Sequence, residues 1–415
     1  MTKVYMPKIT TLLLALLFVG TAQAQDFNAA LMDSFLLHLY QNDKSMGSLA
    51  IMKGDEVIYT GAVGMSQIEG QTAATKDTRY KIGSISKTFT ATMIMQLVDA
   101  QKLTLETPLS KYYPDIKNAD KITVRHMLSH RTGIPEYLKA VSPLQLSQAI
   151  SKDEMIKRIE GYESDFEPDT KYVYSNSNYY LLGAMAETIS GLPYETLLHN
   201  LVTTLGLPTT KSGTQSKTAT EATSYGWSTS WTEAPTWDMS WAFGAGDITS
   251  TATQVAQFMR ALQTGKILSE ASTTEMKKMN EGYGLGLFSY PSGEYSGYGH
   301  NGRIENFDSN AYYFPELDLT FSYLANGLSI PYNEVHLGVL GISINNEYKF
   351  SDFTVKESIE LSEEQLKVFE GEYKSETFPL DIKVFMSGSV LMAQATGQGA
   401  FPPVSYTHLT LPTKA

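Results

Sequence analysis

The hydrophobic spacing of this chain changes period twice, and that constrains its fold more than any other feature. From Phe27 to Asn42 apolar residues fall at Leu31, Phe35, Leu36 and Leu39, the spacing of a helix with one buried face. Ser48 to Met52 and Glu56 to Val63 are apolar runs either side of Lys53-Gly54-Asp55, a link of hairpin length. Helical spacing returns over residues 84 to 99, with Phe89, Met93, Ile94, Leu97 and Val98, and over Thr123 to Ser129. After a helix near Thr253 to Gln263 the pattern is strand-like at Tyr283 to Tyr290, Tyr295 to His300, Ser309 to Phe314 and Leu319 to Leu324. A helical stretch from Asn333 to Ile344 follows. Strands near both ends with helices between predict an α/β (α+β) fold, one sheet built from both parts of the chain with a helical domain inserted.

Composition narrows what such a fold can do. The 415 residues are 42% hydrophobic and 18% charged, a globular balance, and the net charge of -12 opposes nucleic acid or anionic lipid as a partner. There is no Cys, so disulfides, thiolate metal sites and a Cys nucleophile are excluded. Lys3 and Lys8, the apolar run Leu12 to Val19 and the small residues around Ala22-Gln23-Ala24 read as a signal peptide over residues 1–24, which implies a periplasmic or secreted protein. That run falls short of the roughly 20 apolar residues a bilayer span needs, and no later segment approaches that length. Residues 25–346 form the expected main domain, 347–361 a charged linker and 362–403 a small, truncated accessory β domain. Residues 404–415 resemble translated adapter sequence and are read as non-native.

Three short motifs carry chemistry. Ser84-Ile85-Ser86-Lys87 is the only S-x-x-K in the chain and opens the apolar helix; residues three apart share a helix face, so the Lys87 amine can reach the Ser84 hydroxyl and take its proton. Tyr174-Ser175-Asn176 adds a phenol able to relay a proton and a carboxamide able to orient a substrate. His300-Asn301-Gly302 enters from a strand whose edge can offer a backbone N–H to an oxyanion, with Gly302 allowing close approach. Other matches exist. Tyr40-Gln41-Asn42 ends the first helix, His336-Leu337-Gly338 falls in a helical pattern, and Lys211-Ser212-Gly213 lies in a polar loop without strand spacing; all three are read as structural.

In their order and spacing these motifs resemble those of the penicillin-recognising serine hydrolases: class C β-lactamases, D-Ala-D-Ala carboxypeptidases and related esterases and D-aminopeptidases. Leu128 to Pro135, Gly244-Ala245-Gly246-Asp247 with Ser250-Thr251, and Tyr283-Gly284-Leu285-Gly286 resemble the same family. The resemblance implies an antiparallel sheet flanked by helices with an all-helical insert. It implies Ser84 as the acylated nucleophile, Lys87 as its base or base partner and Tyr174 as proton relay. Asn176, His300, Asn301, Gly302 and Arg303 would bind substrate, with the N–H groups of Ser84 and Arg303 holding the oxyanion. No cofactor or metal is implied.

One departure bears on substrate. Dedicated β-lactamases of the family usually carry Lys where this chain has His300, and His is mostly neutral at neutral pH. The expected activity is therefore an exported serine hydrolase of D-amino-acid peptides or amides, β-lactams or small esters, with a small-molecule or peptidoglycan-derived substrate. The alternative is a penicillin-recognising sensor or binding module that acylates without turnover. Arg303 could meet a substrate carboxylate or point to solvent. The four Trp between Trp227 and Trp241 are expected to pack as core, and His126 with His130, four apart, to be structural.

Overall fold

The computed structural model describes residues 27–213, 219–344, 348–353, 361–374 and 382–395. Residues 1–24, expected to be a signal peptide, and the tail from Val404 lie outside them. The chain divides into two units, Met1–Phe350 and Ser351–Ala415.

In the first unit, Asn28 caps helix α1 (Ala29–Gln41), its Oδ1 accepting the Leu31 N–H at 3.0 Å. Strands β1 (Ser45–Lys53) and β2 (Glu56–Val63) follow. The helical part contains α2 (Ser86–Asp99), α3 (Val124–Leu128), α4 (Lys152–Glu160), α5 (Asn176–Ser190) and α6 (Tyr194–Thr204). Helix α7 (Ala252–Gln263) leads back to β3 (Phe288–Ser292), β4 (Tyr295–Ile304), β5 (Phe307–Phe314) and β6 (Leu319–Leu328), and α8 (Tyr332–Ile344) closes the unit.

The sheet order is β3-β4-β5-β6-β1-β2, antiparallel throughout, so β1 pairs with β6 and the two ends of the unit share one sheet. Both faces are covered, which is why all but the last residue of β1 is buried and its sequence reads as a nearly continuous apolar run. Alternation along the strands assigns the faces. His300, Gly302 and Ile304 share a face with their partners Ala311, Ser309 and Phe307, and Ile304, Ala311 and Phe307 belong to the core that includes α2 and α7. Asn301 and Arg303 point to the opposite face, the one on which Tyr312 and Phe321 meet α8.

Several expectations differ in detail. Of Tyr283 to Tyr290 only the stretch from Phe288 is strand; before it the backbone turns on itself, with the Gly284 N–H donating to Leu287 O at 2.8 Å. Lys211–Ser212 is a two-residue strand paired with Ile248–Ser250, too short for alternation to reveal. Helix α3 ends at Leu128 and His130 adopts φ +57°, so His126 and His130 share no helix face. Among the described residues no helix is long and apolar enough to cross a membrane.

Among the described residues the second unit has one short helix, α9 (Glu363–Lys367), and three antiparallel strands in the order β7 (Gly371–Tyr373), β8 (Ile382–Ser387), β9 (Val390–Ala395). Its buried cluster is Tyr373, Val384 and Ala393.

Candidate active site

Ser84 lies on a 3-10 turn, Gly83–Ile85, that runs into α2. The turn lies directly against β4 because two glycines leave room for it. Gly83 has φ +50°, and a Cβ there would fall 2.8 Å from the Arg303 nitrogen. A Cβ on Gly302 would fall 2.2 Å from Ile82 O and 2.8 Å from the Ser84 nitrogen. Ser309, across from Gly302, fastens the contact by donating to Ile82 O at 2.7 Å. The backbone nitrogens of Ser84 and Arg303 are thereby brought to one place.

Lys87, the second residue of α2, is wholly buried, and its Nζ makes three polar contacts: Ser84 Oγ at 2.9 Å, Asn176 Oδ1 at 2.6 Å and Ala245 O at 2.7 Å. Burial pushes the amine down to about 7, opposed by the negative charge of Glu136. Two of the three partners, a carboxamide oxygen and a backbone carbonyl, can only accept. A neutral Lys87 spends its two N–H groups on them, and its lone pair is left facing the Ser84 hydroxyl. That is the arrangement in which the hydroxyl can hand over its proton.

Tyr174 hydrogen-bonds Ser84, and burial holds its phenol well above the ordinary value, so it is a neutral phenol at neutral pH. Its ring centre is 5.0 Å from Lys87 Nζ. Asn176 is the first residue of α5, and its N–H donates to Glu136 Oε2 at 2.6 Å.

His300 belongs to this cluster without opening onto it. It is 1% exposed, packed among Phe288, Tyr283 and Tyr174 at ring distances of 4.8, 5.7 and 6.4 Å. Its Nδ1 faces Asn301 O, which only accepts; Nδ1 therefore carries the proton, and Nε2 accepts the Tyr283 O–H at 3.1 Å. Burial first and the Lys87 charge second push its pKa down to about 3. His300 is thus a neutral support beside the Ser84 cluster and offers no fixed positive charge.

Ser84, Lys87, Tyr174, Asn176, His300 and Gly302 come together. The side chains of Asn301 and Arg303 do not, since both point to the other face; Arg303 is 71% exposed and lies 3.8 Å from Asp308. Of Arg303 only the main chain reaches Ser84. The Trp residues divide: Trp241 is buried, Trp237 packs at the core margin, and Trp227 and Trp231 pack on each other at 5.0 Å. A cavity of about 600 Å³ beside α6, lined by Leu198, Val202, Leu207 and Lys211, contains none of the motif residues.

Sequence reading missed three participants. Ala245, in the Gly244-Ala245-Gly246 segment, supplies a carbonyl to Lys87. His130 packs its ring 4.2 Å from that of Tyr174, and its Nδ1 accepts from Ser175 N at 3.2 Å. Glu136, directly after Pro135, is the carboxylate beside Asn176. The first two lie within segments singled out by family resemblance and the third directly follows one, but a backbone carbonyl leaves no mark in a sequence and Glu136 could as well have been a solvated loop residue.

The fold and this cluster define a serine-hydrolase-like class of β-lactamase/transpeptidase architecture. The chain belongs to the β-lactamase family, whose model matches residues 37–337. It is 30% identical over 260 residues to PbpX of Bacillus subtilis (strain 168), described as a penicillin-binding protein, a match covering 61% of this chain and 64% of that one. It is 27% identical over 162 residues to the teichoic acid D-alanine hydrolase of Staphylococcus aureus, covering 39% of this chain and 38% of the relative. The match thus spans less than two thirds of either relative. Among solved structures, D-amino acid amidase from Ochrobactrum anthropi SV3 superposes with a TM-score of 0.70 at 25% identity, covering 77% of this chain and 99% of the amidase.

Proposed function

We propose that the protein is an exported serine hydrolase that forms an acyl-enzyme on Ser84 and acts on amides, peptides or esters of D-configured amino acids. The observation that carries this reading is the set of contacts on Lys87: with both N–H groups committed to acceptors, its lone pair faces one hydroxyl. Neutral Lys87 takes the Ser84 proton as Oγ bonds to the substrate carbonyl carbon. The oxyanion forms between the Ser84 and Arg303 N–H groups. As the tetrahedral intermediate collapses, the bond to the leaving nitrogen or oxygen breaks and Tyr174 relays the proton to it. Water, deprotonated by the same groups in reverse, then releases the acid and regenerates Ser84.

The two relatives named for D-alanine and D-amino acids support the substrate class. A neutral, buried His300 supports amides and esters over anionic β-lactams. Export rests on the N-terminal residue pattern alone.

Ser84→Ala is the test. Hydrolysis of a D-amino acid amide and an activated ester should fall by about a million-fold if Ser84 works as other serine nucleophiles do. Near-normal turnover by that variant would remove Ser84 from the mechanism. Product release that stops after one equivalent in the unaltered protein would favour a sensor that acylates once.

A further inference from the structure

We infer that Glu136 is a positioning residue that holds Asn176 in place and, through Asn176 and its own negative charge, governs the protonation of Lys87. The inference rests on the reading of Lys87 as the base, and it begins from an anomaly at the start of α5. A helix of 15 residues needs its first N–H groups satisfied, and Ser175 stands at the N-cap, yet Ser175 makes no side-chain cap bond. Its hydroxyl donates instead to Pro135 O at 3.2 Å, and the Ser177 hydroxyl donates to the same carbonyl. The next residue, Glu136, supplies the missing cap from outside the helix, Oε2 accepting the Asn176 N–H at 2.6 Å while Oε1 accepts the Leu138 N–H at 3.0 Å. Both oxygens are therefore fixed by backbone donors. The residue capped is the one whose Oδ1 holds Lys87 Nζ, so one loop carboxylate is two bonds from the amine.

The charges around the two groups favour the same assignment. Facing Lys87 are the imidazoles of His130 and His300, both driven neutral by burial, the rings of Tyr174 and Tyr179, and the uncharged Ser84, Asn176 and Ala245. Glu136 is the carboxylate whose charge acts on the amine. Facing Glu136 are Tyr137, Tyr162 and Tyr174, whose phenols its charge raises, and among the described residues no Lys or Arg forms an ion pair with it. Burial pulls the proton off Lys87, and Glu136 opposes that pull. Without the carboxylate the amine would be neutral over a wider range but a weaker base.

Glu136→Gln separates the two roles, because the one amide oxygen can still cap Asn176 while the charge is gone, at the loss of the bond from the Leu138 N–H. Titration of Lys87 by NMR of lysine labelled at Cε should show its midpoint move to lower pH in Glu136→Gln, and the acid limb of kcat/KM on a chromogenic ester should move with it. An unchanged midpoint would overturn the inference. Should Glu136→Gln fail to fold, Glu136→Asp draws the carboxylate back by one methylene and should give a smaller shift in the same direction; no shift there is equally fatal. The NMR titration needs no turnover, which keeps two failures apart. A displaced midpoint in a protein whose Ser84→Ala form remains active would sink the hydrolase reading alone, and a fixed midpoint in an enzyme that requires Ser84 would sink the Glu136 assignment alone.

Discussion

His300 and His336 lie on opposite faces of the same sheet, and each is followed two residues later by glycine. Both are buried, and burial pushes both down to about 3. Both pack against aromatic rings, but they differ in their polar partners. His300 has a partner for each ring nitrogen and stands beside the Ser84 turn. His336 has none for either among the described residues; it sits on α8 among Tyr290, Phe321, Tyr312 and Phe314 at ring distances of 3.8, 4.7, 5.1 and 6.0 Å. The glycines divide the same way. A Cβ on Gly302 would strike the backbone at Ile82 and Ser84, whereas a Cβ on Gly338 would lie 2.2 Å from the Phe35 ring on α1. Letter pattern, burial and depressed basicity are shared by the Ser84–Lys87 cluster and an aromatic packing site. The distinction lies in whether the buried polar atoms are partnered and in what the backbone touches.

The largest effect that could break this contrast comes from the two glycines. Gly302→Ala cannot be accommodated by a side-chain rotation, because the obstacles include main-chain atoms; the strand must withdraw from the turn and take the Arg303 N–H with it. Turnover should drop by roughly 10²- to 10³-fold, the range for losing one oxyanion donor. Gly338→Ala should instead cost about 1–3 kcal/mol of stability through overpacking against Phe35, with kcat/KM of the folded protein unchanged. Denaturant melts and steady-state kinetics on the pair would check this. Similar kinetics for both variants would erase the distinction between the two faces.

A smaller effect sharpens the role of His300. His300→Lys should place a positive charge beneath the cleft and raise the rate on an anionic penicillin relative to an uncharged ester by about tenfold, the worth of one charge-assisted hydrogen bond. A substrate panel giving the same rate ratio as the unaltered protein would show that the neutral imidazole does not set this preference.

The contrast also shows what was legible in the sequence. The change of hydrophobic period located α1, β1, β2, α2 and the later strands because each presents at least one apolar face to a core. The three motifs marked side chains that come together, since a helix face and a strand edge are local geometries that spacing encodes. Tertiary facts were not encoded in this way. Strand alternation excludes Asn301 and Arg303 from the cleft only once the sheet shows which face the nucleophile occupies. Glu136 acts through a backbone N–H forty residues on in the chain. Lys211–Ser212 became a strand only because Ile248–Ser250 lay beside it.

The smallest effect concerns His336 itself. Its two nitrogens were desolvated without compensation, a cost of about 1–3 kcal/mol for an unsatisfied buried polar group. Phe in its place would keep a ring among Tyr290, Tyr312 and Phe321 and remove those nitrogens, so His336→Phe should stabilise the fold by about 1 kcal/mol at pH 7 once the larger ring's packing strain is set against the gain. The pH dependence fixes the sign of the rest. In the unfolded chain His336 binds a proton below its ordinary value of 6.5, whereas in the folded chain it does so only near 3. The unfolded state thus holds more protons between these limits, and stability is lost as the pH falls through them. His300 and His130 contribute loss of the same sign. His336→Phe removes one share, so its advantage in a denaturant melt should be larger at pH 5 than at pH 7, while the pH profile of hydrolysis stays where it was. An advantage that shrinks on acidification would mean that the imidazole is charged in its aromatic surroundings, and the two faces of the sheet would then differ in electrostatics as well as in partners.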